Sequence, residues 1–177
     1  TYIGVFIIMF GVISSGMIAV MSQNIGAGRP GIAYQARQLG LLFNALTGIL
    51  MSVILAFFSG RILKIVSIAP ALLEPAETYL KIVGGACFLN ALIPIFSSYL
   101  RVFGYTKHSL IGTIVGNAVN IIFNSVFLFV FKWGVMGVAV ATVISKVVNL
   151  IIVAAMGAVL IKAKQSPERI QPRKILA

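Results

Sequence analysis

Apolar residues fall in five runs along the chain, roughly 2–21, 39–58, 79–100, 110–131 and 135–161, and the charges collect between them. A helix needs about 20 such residues to cross a hydrocarbon core about 30 Å thick, and each run reaches that length. Inside lipid the backbone must satisfy its own donors and acceptors, so the runs predict helices and exclude open strands. The expected fold is all-α: a polytopic membrane protein with five transmembrane helices over residues 1–162 and a basic cytoplasmic segment at 163–177. The fifth run is longer than a span requires, which permits tilt without fixing an angle.

The breaks between runs have local causes. Gly26 and Gly28 follow the first run, with Pro30 beyond, a pattern that stops a helix at a glycine cap. The segment Gly26–Gln38 then reads as one loop, and Ile68–Thr78, with Pro70 and Pro75, as another on the opposite side. Pro94 lies within the third run and has no N–H for the carbonyl of Asn90, so a kink is predicted there. The chain opens on Thr1 directly into an apolar stretch and closes on Arg173-Lys174-Ile175-Leu176-Ala177, which resembles the approach to a further span. A piece of a longer protein is expected.

Composition strengthens the membrane reading. The chain is 60% apolar and 10% charged, where globular domains carry about 45–50% and about 25%. One small core cannot hide that excess. Fourteen Lys and Arg stand against three acids, Glu74, Glu77 and Glu168, for a net charge of +11. In a soluble protein that balance would suggest nucleic acid. Here the bases flank apolar runs, which excludes nucleic acid and makes anionic lipid headgroups their partner. Arg29, Arg37, Arg101, Lys107, Lys162, Lys164, Arg169, Arg173 and Lys174 share one side if the runs alternate, against Arg61, Lys64, Lys81 and Lys132 on the other. The richer side is expected in the cytoplasm, and the bacterial plasma membrane is the expected location. Trp133 and Tyr79 fall at span ends, as interfacial anchors do.

Other chemistry is sparse. The lone Cys87 rules out an internal disulfide and a cysteine-based zinc site, and reads as a small hydrophobe. Gly26-Ala27-Gly28 lacks the third glycine and the later acid of a nucleotide loop. His108 reads as a solvated loop residue. No glutamate falls inside a run, so intramembrane catalysis lacks its acids, and no catalytic residue or cofactor is assigned.

Polar residues within the runs are costly without partners and mark where function is written. Thr113, Asn117, Asn120 and Asn124 recur at spacings that share one helical stripe, and Thr142, Lys146 and Asn149 do the same on the next run. Lys146 lies about 18 Å along its helix from Gly134, too deep to snorkel. Such residues often serve only as interhelical glue. Two aligned stripes with a lysine between them predict a cation or substrate pathway: Asn117, Asn120, Asn124, Thr142, Lys146 and Asn149. Gly4, Gly11, Ser15 and Ser22 share a face of the first run and predict a close helix contact. Asn90, Pro94 and Ser97 align likewise and read as packing.

Four segments taken together resemble the multidrug and toxic-compound extrusion (MATE) family. They are Ser22-Gln23-Asn24-Ile25-Gly26-Ala27-Gly28-Arg29, Arg101-Val102-Phe103-Gly104-Tyr105-Thr106-Lys107, Val119-Asn120-Ile121-Ile122-Phe123-Asn124, and the stretch from Gly134-Val135-Met136-Gly137 to Thr142-Val143-Ile144-Ser145. The resemblance covers nearly the whole chain and corresponds to helices two to six of the amino-terminal six-helix lobe. It implies two related lobes around a central cavity, alternating access, and export of drugs or other amphiphilic compounds driven by sodium or protons. The first helix, the carboxy-terminal lobe, membrane lipid and a small organic substrate are the implied partners. In many relatives the coupling cation is held by an aspartate on helix one, an Asn-x-x-x-Asp pair on helix five and a threonine on helix six. Asn120 and Thr142 match that pattern, while Asn124 stands where the second aspartate would be. The resemblance implies a sodium site near Asn120, Asn124 and Thr142; the departure implies instead that the Lys146 ammonium partly occupies the cation position and couples to protons by its own titration. The alternatives are a flippase for lipid-linked sugars or lipids of the same superfamily, and a membrane assembly protein without transport activity.

Overall fold

The computed structural model describes residues 2–65 and 69–165, with side chains at 8, 10–29, 31–65 and 69–160. Among these the structure is helical, with no strand. The helices are α1 (Tyr2–Gly26), α2 (Pro30–Ile65), α3 (Pro70–Tyr79), α4 (Cys87–Val102), α5 (Thr106–Ser125) and α6 (Gly134–Gln165). Leu80–Gly84 continues α3 as a π-helical turn, and Val126–Val130 continues α5 in the same way. The basic segment expected at 163–177 is helical to Gln165 and from 166 onward lies outside the described residues.

Three helices, Gly31–Ile65, Thr106–Val130 and Gly134–Leu160, are each long and apolar enough to cross a membrane. Pro70–Gly84 with Cys87–Val102 makes a fourth span if the two are taken together, bent by 41°. Helix α1 has 25 residues of apolar sequence. Helix α2, with 36 residues, is about 54 Å long at 1.5 Å per residue, well beyond a hydrocarbon core. Its excess corrects the loop expected at Gly26–Gln38: Pro30 stands at the helix start, where its missing N–H costs nothing, so residues 30–38 are helical and the turn shrinks to 27–29.

That turn and its counterpart after α4 are built alike. Gly28 adopts φ 70 and Gly104 φ 85, left-handed values that suit glycine. The Arg29 N–H reaches the carbonyl of Asn24 at 2.8 Å and the Gly28 N–H that of Ile25 at 3.1 Å. Tyr105 and Gly104 repeat the pair on Leu100 and Arg101, at 2.9 and 3.0 Å. Both are Schellman closures, which satisfy the carbonyls a helix end leaves free.

The third span departs most from expectation. The loop expected over Ile68–Thr78 is helical from Pro70, again a proline at a helix start. Glu74 and Glu77 are therefore on α3, where Glu77 pairs with Lys81 at 2.8 Å. At Pro94, where a kink is predicted, α4 continues without a break. The chain breaks at Gly85 and Ala86 instead, beyond the Gly84-Gly85 pair. The N–H of Phe88 has no helical acceptor there, and Ser52 Oγ on α2 accepts it at 2.9 Å. Glycines let α2 lie this close: a Cβ on Gly48 would stand 2.6 Å from Ala91 Cβ, and one on Gly84 2.7 Å from Leu55 Cβ.

Helix α1 packs through Phe10, Ser14, Met17 and Met21, all buried. On the small-residue face expected there, Ser15 and Ser22 are exposed, and among the described residues nothing lies within 4 Å of a Cβ on Gly11, so that face meets none of the described helices; Gly4 lies outside the residues whose side chains are described. Phe10, Leu55, Leu80, Cys87 and Ala91 form one core cluster, and Met17, Met21, Ala33, Ile95 and Tyr99 another, so α1, α2 and α4 make the centre. Cys87, 1% exposed, packs as a small hydrophobe. His108 is half-buried, not solvated, and stands edge-on to Tyr105 at 5.5 Å.

Candidate functional site

Helices α5 and α6 form an antiparallel pair whose contact can be read rung by rung. A Cβ on Gly112 would come within 2.6 Å of Val153 Cγ1 and 2.9 Å of Asn149 Oδ1. One turn on, a Cβ on Gly116 would meet Asn149 Cβ at 3.0 Å and the Ser145 carbonyl at 3.2 Å. Asn120 faces Ser145 on the next turn. At the far end the glycine changes sides, with Gly137 under Phe127 at 2.7 Å. Phe127 stacks on Trp133 with centroids 5.1 Å apart, closing the hairpin. Gly112 and Gly116 are a GxxxG pair, which lets two backbones approach where lipid supplies no hydrophobic drive between helices.

The close approach brings the amides into a directed chain. Asn124 Nδ2 donates to Asn120 Oδ1 at 2.9 Å, and Asn120 Nδ2 donates to Ser145 Oγ at 3.4 Å. Ser145 Oγ then donates to the Thr142 carbonyl at 2.7 Å. Every donor points the same way, so the head of the chain is Asn124 Oδ1, which is buried and has no donor. Asn149 Oδ1, wedged beside Gly112, is a second buried oxygen without a partner. Asn120 lies about 21 Å along the helix from Thr106, deep within the span. Asn124, one turn on, lies about 9 Å from the span end at Val130, and a buried amide oxygen without a donor there is expensive; a proton donor or a cation would relieve it.

The six sequence-predicted residues do not form one wall. Asn120, Asn124 and Asn149 meet at the seam. Thr142 contributes its carbonyl, while its hydroxyl donates to Val138 of its own helix at 2.8 Å. Asn117 and Thr113 are exposed on the flank of α5 and do not reach α6; four-residue spacing put them on the stripe, but α6 covers only its Gly112–Gly116–Asn120 side. Lys146 is half-buried, one residue beyond Ser145, with no hydrogen bond or ion pair among the described residues. The two facing stripes are thus one seam and one open flank. Sequence reasoning missed Ser145, Gly112 and Gly116, although the GxxxG spacing was there to read. Among the described residues no group of His, Cys, Asp and Glu could hold a metal ion. The oxygens that this chain presents at the seam are amide, hydroxyl and carbonyl oxygens, all neutral.

The family model described as MatE matches residues 1–126 of this chain. The chain belongs to the MatE family. The match takes in α1 to α5 with Asn117, Asn120 and Asn124, and α6 lies beyond it. The chain is 34% identical over 149 residues to the "Uncharacterized transporter YisQ" of Bacillus subtilis, covering 82% of this chain and 33% of that protein. It is 31% identical over 110 residues to "Protein DETOXIFICATION 43" of Arabidopsis thaliana, covering 60% of this chain and 20% of the relative. An outward-facing multidrug resistance MATE transporter of the MOP superfamily superposes with a TM-score of 0.80 at 19% identity, over 88% of this chain and 34% of that one. This MatE chain therefore spans about a third or less of the length of the relatives it matches, and its apolar helices are those of a multi-pass integral membrane protein.

Proposed function

We propose that the transporter containing this chain is a cation-coupled antiporter, driven by protons or sodium, that exports amphiphilic organic compounds from the bacterial cytoplasm. The seam between α5 and α6 is its coupling site. One observation carries this reading: the directed chain from Asn124 through Asn120 to Ser145, headed by an amide oxygen without a donor. Beside it runs the exposed Thr113–Asn117 flank. Exposed polar groups at mid-span need water or protein, so that flank faces a wet cavity shared with the rest of the transporter.

Neutral amides and hydroxyls solvate a cation without neutralising it. The charge that draws the ion in comes from outside this chain, or the site works by exchanging a proton with a group brought opposite Asn124. Lys146, a cation near the middle of α6, repels a second positive charge nearby. That favours anionic cargo and supports the second reading, a lipid-linked sugar or lipid flippase.

Dye efflux from proteoliposomes holding the full-length protein, with sodium and proton gradients imposed separately, tests both. Export under one gradient, reduced at least about tenfold by Asn120→Ala, is expected, a loss typical of removing a positioned coupling group. Active reconstitution with no export under either gradient overturns the antiporter reading and leaves lipid-linked cargo.

A further inference from the structure

The turns at 27–29 and 103–105 lie at one end of the bundle. Among the described residues this end carries Arg29, Arg37, Arg101 and Lys107 and no carboxylate, because Glu74 and Glu77 both sit on α3 at the opposite end. Arg29, Arg101 and Lys107 are exposed. Arg37 is held differently. Its guanidinium carbon lies 4.2 Å from the centroid of the Tyr99 ring, with the Tyr34 ring at 5.9 Å on the other side of its own helix turn. Tyr99 is buried and braced edge-on by Phe103 at 5.2 Å, so the platform is rigid. Arg37 Nε is sealed from solvent and has no acceptor among the described residues.

Depth matters as much as charge. Arg37 stands two residues before Leu39, where the apolar run of α2 begins, and Arg101 follows directly on the run that ends at Leu100. Tyr34 and Tyr99 stand beside Arg37, and Tyr105 packs against the cluster that holds Tyr99, aromatic company of the kind found at headgroups. A guanidinium held this close over a buried ring loses rotational freedom, and its planar fork is suited to two phosphate oxygens. A lysine at the same place would offer only a point charge.

We propose that Arg37, clamped on Tyr99, is a binding site for the phosphate of an anionic phospholipid headgroup, distinct from the diffuse attraction of the exposed bases around it. The site is independent of the coupling seam and of the nature of the cargo. It anchors α2 against α4 at the membrane surface through a lipid.

Native mass spectrometry of the purified full-length transporter, titrated with phosphatidylglycerol or phosphatidylcholine, reads the site directly. The wild type is expected to retain one phosphatidylglycerol with about fivefold preference over phosphatidylcholine, the scale of one charge-assisted bidentate contact. Arg37→Gln is expected to abolish the preference, and Arg37→Lys, which keeps the charge and loses the fork, to recover less than about half of it. Arg101→Gln removes the same charge from an exposed position and leaves the preference intact. Equal losses at Arg37 and Arg101, or equal retention of the two lipids by the wild type, would overturn the proposal. So would displacement of the lipid by millimolar inorganic phosphate at constant ionic strength, which would reassign the site to a soluble anion. Should Arg37→Gln fail to fold, Arg37→Lys against Arg101→Lys carries the same comparison.

Discussion

The two closest helix pairs in this bundle use the same materials to different ends. Where α2 crosses the bent third span, Gly48 brings the backbones together, and Asn44 donates to the Ala91 carbonyl at 3.1 Å and to Ser14 Oγ at 3.4 Å. Where α5 meets α6, Gly112 and Gly116 do the same, Asn124 donates to Asn120, and Asn120 donates to Ser145. Both pairs leave a buried amide oxygen without a donor, Asn44 Oδ1 in one and Asn124 Oδ1 in the other. The difference is what surrounds them. Asn44 is fully buried among α1, α2 and α4, so its amide ties three helices. Asn120 and Asn124 are half-buried on a helix whose other flank is open. A buried amide is a structural tie when three helices enclose it, and becomes material for a site when one side is left uncovered.

The largest effect should come from the enclosed pair. A Cβ on Gly48 would lie 3.0 Å from Phe88 Cα, a backbone atom that cannot turn away. Gly48→Val in the full-length protein is expected to cost about 3 kcal/mol or more, read as a lowered thermal unfolding midpoint or loss of monodisperse protein. An unchanged midpoint would break the claim that Gly48 sets the helix spacing. Gly112→Ala should cost less, about 1–2 kcal/mol, because a methyl there meets the tips of Val153 and Asn149, which can rotate. Adding Val153→Ala should recover part of the loss. Non-additivity in that double variant is the check on the α5–α6 register. Asn44→Ala is expected to cost about 1 kcal/mol, in the range of interhelical hydrogen bonds in membranes, with transport per folded molecule unchanged. Smallest on stability is Asn120→Ala, below about 1 kcal/mol, yet it should abolish coupled transport. If Asn44→Ala instead lost transport and Asn120→Ala lost only stability, the two regions would have to exchange roles.

The legible part of the fold was what one helix decides by itself. Helical spans, the glycine cap at Gly28 and the run of small and polar positions in α5 and α6 follow from length, backbone freedom and 3.6-residue periodicity. The bend could not be read in the same way. Pro94 removes a hydrogen bond and looks like a breaker, yet α4 absorbs it. The break falls at Gly85 and Ala86, where Ser52 on another helix accepts the orphaned Phe88 N–H. The small-residue face of α1 meets none of the described helices, because small residues permit close contact without requiring it. Phe10 and Met17 are buried instead, each filling space offered by neighbouring helices.

By itself the sequence determined that the chain lies in lipid, that its helices alternate through it, and that polar groups sit too deep to be incidental, since apolar length and desolvation cost act on each segment alone. Only the tertiary structure decided which polar groups meet. Asn117 and Asn120 share a stripe and are equally costly in lipid, yet only Asn120 has α6 against it. That choice depends on the register set by Gly112, Gly116 and Gly137, where two backbones can approach and others cannot.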